Sequence, residues 1–267
     1  MSAGDALRIV RYSFWSGLQD YQSIYTWKTW VAGWYVRVLA QVIFFALIGK
    51  LLGSRDQEHF LLIGNAAMLA TMAGIWGGIN MTRWERNTGT LPLLVASPSS
   101  PVLVFTSRGL YMTVDGLVSS LGALVVVGVL FHLDFPWPRV LLVVPLTALI
   151  AVSGYAFAVV LGGLILAKRE LGNVVVMTTI TSMMALCGVN IPLSAYPAAV
   201  AAFARVLPLT NGLQAIRALL NGAPASTVLA HAGAEALVFL GWALVALVTF
   251  DRLVDRGRHD GSIEFAT

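Results

Sequence analysis

Long apolar runs dominate the chain and alternate with short polar segments. We predict membrane-spanning helices at 31–53, 60–82, 104–131, 139–166, 172–192 and 231–253. A bilayer core is about 30 Å thick, so a helix that crosses it needs roughly 20 mostly apolar residues. Because lipid offers no partner to free backbone groups, these runs should be helical. The pattern therefore predicts an all-α integral membrane protein with six transmembrane helices.

The composition agrees with this interpretation. The 267 residues are 58% hydrophobic and only 11% charged, whereas soluble domains carry about 25% charged residues. A single cysteine, Cys187, excludes an internal disulfide. The four histidines lack the spacing of metal ligands, so no metal site is predicted. The modest net charge of +4 gives no reason to expect a nucleic-acid partner.

The basic residues predict an orientation. With the N-terminus in the cytoplasm, eleven of them fall on the cytoplasmic side: Arg8, Arg11, Lys28, Arg83, Arg86, Arg108, Lys168, Arg169, Arg252, Arg256 and Arg258. The other side has five: Lys50, Arg55, Arg139, Arg205 and Arg217. The positive-inside rule therefore favours a multi-pass protein of the cell membrane with both termini in the cytoplasm.

The N-terminal segment has helical periodicity. Apolar side chains recur every three or four residues at Leu7, Val10, Phe14, Leu18, Tyr21 and Tyr25. We predict that residues 1–30 form an amphipathic helix in the membrane interface, followed by a transmembrane domain over 31–267. The alternative is a plain helix packed on other parts of the protein.

The cytoplasmic loop between spans two and three reads RWERNTGTLPLLVASPSSP from Arg83. Thr88 and Thr90 can cap a helix, and Pro92 suits its first turn. Exposed leucines on a short helix usually meet a partner. We predict a docking helix here, with an ordinary inter-span turn as the alternative.

The segment between spans five and six is apolar but interrupted by Pro192, Pro197, Pro208, Gly212, Gly222 and Pro224. Each piece is too short to cross the bilayer, and the whole is too apolar for a solvated loop. We predict a re-entrant hairpin of two short helices near an exit path.

Arg37, Asp115 and Glu235 are charged and lie within predicted spans, where ionisable groups are costly and often functional. Arg37 and Asp115 have matching depths, and we predict that they pair; the alternatives are snorkelling for Arg37 and a water-filled cavity for Asp115. Glu235 could pair with Arg205 or Arg217, or reach outer water.

With these features in this order along nearly its whole length, the chain resembles the permease subunits of the ABC-2 superfamily of ATP-driven exporters. The family's coupling-loop pattern matches Glu85, Arg86, Gly89, Thr90, Leu91, Leu93, Leu94 and Pro98. Its pattern before the last span matches Pro208, Leu209, Thr210 and Arg217, with Pro197 in the same exit element. Pro92 stands where the family usually has a glutamate.

The resemblance implies a transport subunit that exports an amphipathic or hydrophobic substrate, such as a drug-like natural product or a lipid. The chain has no GxxxxGK[ST] phosphate loop, so it should not hydrolyse ATP by the P-loop route. We predict no catalytic residues, and by resemblance Mg-ATP should bind to a separate ATPase subunit. A second permease, identical or paralogous, should complete the channel.

Two alternatives remain at this stage. The same family includes exporters of lipid-linked polysaccharide. An ion-coupled secondary transporter could use Asp115, although we find no internal repeat of the kind common in such carriers.

Overall fold

The computed structural model describes residues 3–87, 101–164 and 171–260, and these form helices joined by turns, without β-strands among them. The helices are α1 (Ala3–Ile24), α2 (Trp27–Leu51), α3 (Arg55–Asn87), α4 (Pro101–Arg108), α5 (Tyr111–Leu130), α6 (Val143–Leu164), α7 (Leu171–Leu186), α8 (Ala198–Val206), α9 (Thr210–Leu220) and α10 (Ala225–Asp260). Helix α2 contains a π-helical stretch at Trp30–Tyr35.

Five segments are long and apolar enough to cross a bilayer, namely Trp27–Leu51, Arg55–Asn80, Thr106–Leu130, Arg139–Gly163 and Ala225–Thr249. They correspond to five of the six predicted spans. The count reaches six if α8 and α9, which meet at 94°, form one broken span. The prediction of an all-helical membrane protein is therefore confirmed.

The predicted span at 172–192 is longer than the helix found there. Helix α7 has 16 residues, which at 1.5 Å per residue gives about 24 Å, less than the usual apolar core. It ends at Leu186, and Gly188 just beyond it has a left-handed φ of 78°. That conformation is open to glycine and ends the helix before the predicted boundary.

Helix α3 is the centre of the bundle, and 89% of its most apolar 18-residue stretch is buried. It packs closely on α6 because both helices have small residues at the contact. A Cβ atom on Gly78 would lie 2.6 Å from Cβ of Ala158, and one on Gly162 would lie 2.7 Å from the Gly78 carbonyl oxygen. Glycine is therefore required where these helices cross.

The peripheral helices α2 and α10 present large apolar side chains outward. Only 17% of the most apolar 18-residue stretch of α2 and 11% of that of α10 are buried. Phe44, Leu237 and Leu240 are among the exposed residues. In water such surfaces would be unfavourable, but lipid is as apolar as these side chains. The outer surface therefore fits a bilayer.

Candidate functional site

The predicted docking loop lies mostly outside the described residues. Helix α3 continues to Asn87 and so includes the backbone of Glu85 and Arg86. The remaining residues of the predicted docking surface lie in the undescribed segment 88–100: Gly89, Thr90, Leu91, Leu93, Leu94 and Pro98. Their docking role stays a prediction.

Helix α1 is attached to α4, the helix that directly follows this segment. The Arg108 guanidinium donates a hydrogen bond to the Asp20 carboxylate and forms an ion pair with it. A Cβ atom on Gly17 would come within 2.1 Å of the Arg108 carbonyl oxygen. The two backbones can approach this closely only because residue 17 has no side chain.

The two faces of α1 have different surroundings. Phe14, Leu18 and Tyr21 are half-buried on the face that carries Gly17. Arg8, Arg11, Tyr12 and Trp15 are exposed. The apolar stripe of α1 therefore packs partly on protein, and the placement of the helix in the membrane interface stays a prediction.

A cavity of about 450 Å³ lies where α1, α2, α3 and α5 meet. Aromatic rings make up much of its wall, together with one carboxylate and one guanidinium. The residues that line it are Tyr21, Tyr25, Gly33, Trp34, Arg37, Ala73, Trp76, Met112 and Asp115. We call it the aromatic pocket. Its volume is in the range of small-molecule sites.

Neutral donors hold Asp115 in this pocket. Trp30 Nε1 donates to Asp115 Oδ1 at 2.6 Å, and the Tyr21 hydroxyl donates to the same oxygen at 3.3 Å. Burial, together with the nearby Asp115 carboxylate, raises the pKa of the Tyr21 phenol, so the phenol stays protonated and can donate. Helix α1 is therefore linked to α5 through this carboxylate.

The predicted ion pair between Arg37 and Asp115 is wrong. Among the described residues, neither side chain forms a salt bridge. The Arg37 guanidinium lies over the Trp34 ring, 4.7 Å from its centroid, in a cation–π contact. Both residues line one pocket, but Trp30 and Tyr21 supply the donors that the pairing assigned to Arg37.

The second candidate element is the bend between α8 and α9. Leu209 adopts a φ of 83°, a strained value for a residue that has a Cβ atom. The Thr210 hydroxyl donates to the Ala204 carbonyl oxygen at 2.6 Å, and Asn211 Nδ2 donates to the Arg205 carbonyl oxygen at 2.8 Å. Pro197 precedes α8, and buried Pro208 lies within the bend. These bonds fix the angle between the two short helices.

Glu235 of α10 caps α9. Its side chain is fully buried, and its two carboxylate oxygens accept the backbone N–H groups of Leu209 and Gly212, each at 3.0 Å. The first N–H groups of a helix have no partner within it, and the positive end of the helix dipole favours an anion. The sequence-based alternatives, pairing with Arg205 or Arg217 or contact with outer water, are wrong because this helix end takes both oxygens.

Arg217 of α9 binds three backbone carbonyl groups instead of a carboxylate. It donates to Gly188 at 2.7 Å, to Phe60 at 2.8 Å and to Val189 at 3.2 Å. Its guanidinium lies 3.6 Å from the centroid of the Phe60 ring. Arg217 therefore holds the start of α3, the turn after α7 and the bend together.

The sequence identified Asp115, Glu235 and Arg217 but missed their partners. Tyr21 was predicted only as part of an apolar stripe. The partners of Glu235 and Arg217 are backbone groups, which every residue has, so no pattern of side chains points to them.

A lipid-compatible helical bundle with an amphipathic N-terminal helix and a sharply bent helix pair defines a multi-pass membrane protein. The family model described as "ABC-2 type transporter" matches residues 15–221, from within α1 to the end of α9. The chain therefore belongs to the ABC-2 type transporter family. Members are membrane transport components, so this chain is the transmembrane permease of an ABC transporter. A comparison with curated proteins gave no match.

Proposed function

We propose that this permease exports an amphipathic or hydrophobic compound, driven by ATP hydrolysis on a separate ATPase subunit. The family generally works with such a subunit, which supports the partner. The predominantly apolar spans support an amphipathic or hydrophobic cargo over a strongly charged one. Two permeases, identical or paralogous, would form the path together.

The attachment of α1 to α4 carries this proposal. The ATPase would dock on segment 83–98 and beneath α1, and α4 begins three residues after Pro98. Any displacement of that segment would pull on α4 and, through the Arg108–Asp20 pair, on α1. Tyr21 of α1 would pass the displacement to Asp115 and the pocket wall. The permease would thus have two states, and nucleotide on the partner would shift the balance between them.

The bend between α8 and α9 suits a rigid element on the exit side. We interpret α8 and α9 as the re-entrant hairpin, with Glu235 and Arg217 fixing it to α10, α7 and α3. Irregular backbone at membrane depth is tolerated where it packs on protein or lines a cavity. The hairpin would then stay in place while α1 and α4 move.

Transport into inverted membrane vesicles tests the energy source. We would measure uptake of a fluorescent amphiphilic dye and of a fluorescent phospholipid, with and without Mg-ATP, while ionophores dissipate the ion gradients. The proposal expects uptake that needs ATP and persists without gradients. Uptake that follows the gradients without ATP, and that is abolished by Asp115→Asn, would instead establish the ion-coupled alternative.

A further inference from the structure

The aromatic pocket contains two opposite charges that do not neutralise each other. Asp115 and Arg37 both line it, yet neither takes part in an ion pair among the described residues. Both residues lie in candidate membrane spans, where ionisable groups are costly and often functional. We propose that this pocket binds the headgroup of a zwitterionic amphiphile, with its ammonium group at Asp115 and its phosphate group at Arg37.

The ammonium side of the proposal rests on Asp115 and the rings. Both hydrogen bonds that Asp115 accepts from described residues go to Oδ1, which leaves Oδ2 for a ligand. A carboxylate has about four lone-pair sites, so a ligand ammonium can be accepted beside the two existing donors. Tyr21, Tyr25 and Trp76 also line the pocket, and aromatic rings attract organic cations.

The phosphate side rests on Arg37. Its side chain is exposed and lies over Trp34, so the ring orients the guanidinium while its N–H groups stay available. Arginine presents donors in a fork that matches two phosphate oxygens. A ligand with only one of the two charges would satisfy one residue and leave the other without a partner.

The surroundings fit an amphiphile. Trp27, Trp30 and Trp34 lie in the first turns of α2, in the kind of aromatic belt that marks headgroup level. Val36 and Val114, the chain neighbours of Arg37 and Asp115, are exposed apolar residues, so the two helices that carry the charges also offer apolar surface for an acyl chain. This inference concerns what the pocket binds, and it is independent of the energy source and the direction of transport.

Native mass spectrometry of the purified protein in neutral detergent tests the proposal. The probes are lysophosphatidylethanolamine, lysophosphatidylglycerol, which lacks the ammonium group, and free phosphoethanolamine, which lacks the chain. We expect the zwitterionic lipid to bind at least about tenfold tighter than the other two, because a charge-assisted hydrogen bond is lost with the ammonium group and apolar contact is lost with the chain.

Two variants test the contributions of Asp115 and Arg37 separately. Asp115→Asn keeps an oxygen for Trp30 and Tyr21 but loses the charge, so it should abolish the preference for ethanolamine over glycerol. Arg37→Gln, at an exposed position that should tolerate it, should weaken binding of both lipids by about tenfold. The matched controls Asp134→Asn and Arg139→Gln, both exposed in the turn before α6, should leave binding unchanged.

Equal binding of the two lipids by the unmodified protein would overturn the proposal. A preference that survives Asp115→Asn would also overturn it. If free phosphoethanolamine binds as tightly as lysophosphatidylethanolamine, the pocket recognises the headgroup alone, and the proposed binding of an amphiphile is wrong. If Asp115→Asn does not fold, the comparison of Arg37→Gln with Arg139→Gln still decides, because equal binding by those two variants excludes the phosphate contact.

Discussion

Glu235→Ala should destabilise the protein strongly. It removes both acceptors from the N-terminus of α9 and leaves the N–H groups of Leu209 and Gly212 buried without partners. Each unsatisfied buried donor costs about 1–3 kcal/mol. Allowing for the cavity left by the shorter side chain, we expect a loss of about 3–5 kcal/mol in the free energy of unfolding.

Glu235→Gln should cause an intermediate loss of stability. Its carbonyl oxygen can still accept one of the two N–H groups, whereas its amide nitrogen faces the other donor. We expect about half the loss caused by alanine. Ser226→Ala is the matched control, because Ser226 is an exposed residue in the first turn of the same helix.

Cys187 provides the assay. It is the only cysteine, it is buried at 1% exposure, and it lies in the turn that Arg217 ties to α9 through Gly188. A thiol-reactive fluorophore should therefore label the protein only when this region opens. During a thermal ramp in detergent, Glu235→Ala should label about 10 °C below the unmodified protein, since 1 kcal/mol shifts the midpoint of a chain of this size by about 2–4 °C.

The reasoning fails if Glu235→Ala and Ser226→Ala unfold at the same temperature. It also fails if Glu235→Gln is as harmful as the alanine variant. In the first case α9 does not depend on the cap. In the second, the charge and not the hydrogen-bond geometry would carry the effect.

Three further predictions concern the other anchors. Arg217→Lys should lower the labelling temperature of Cys187 by several degrees, because one ammonium cannot reach three carbonyl groups; Arg205→Lys, at an exposed position, should not. Asp20→Asn should lower the free energy of unfolding by only about 0.5 kcal/mol, since its ion pair with Arg108 is partly exposed. The backbone amides of α1 should nevertheless exchange hydrogen faster in this variant. Unchanged exchange in α1 would contradict its attachment to α4. Gly78→Leu should prevent the folded protein from accumulating because α3 and α6 cannot separate, whereas Gly241→Leu, with open space around it, should fold normally.

The apolar runs predict the fold class well because a bilayer imposes a length on each helix. That constraint does not extend to α7 and the bend. Helix α7 stops early because of the left-handed residue Gly188, and the bend depends on a positive φ at Leu209, where a β-carbon makes such a conformation unexpected. Conformations of this kind are set by tertiary contacts and leave no mark in hydropathy.

For the charged residues too, the sequence predicts part of the structure and tertiary packing sets the rest. The sequence places Arg37, Asp115 and Glu235 in apolar surroundings and predicts that they need partners, which is correct for both carboxylates. It favours pairing with another charge. In a chain with so few charges, the available donors are instead neutral: an indole and a phenol for Asp115, and backbone N–H groups for Glu235. Which donor is nearest depends on helix packing, which sequence spacing does not specify.

Purification of the protein from its native membrane in mild detergent, with every bound polypeptide identified, tests the central claim most directly. The account predicts recovery of an ATPase with a P-loop, and its loss when Leu93 and Leu94 are changed to aspartate. The same change at Leu51 and Leu52, exposed at the opposite end of the bundle from α4, should leave the complex intact. If no ATPase accompanies the chain, or if it stays bound despite the changes at Leu93 and Leu94, the proposed energy source or docking surface is contradicted.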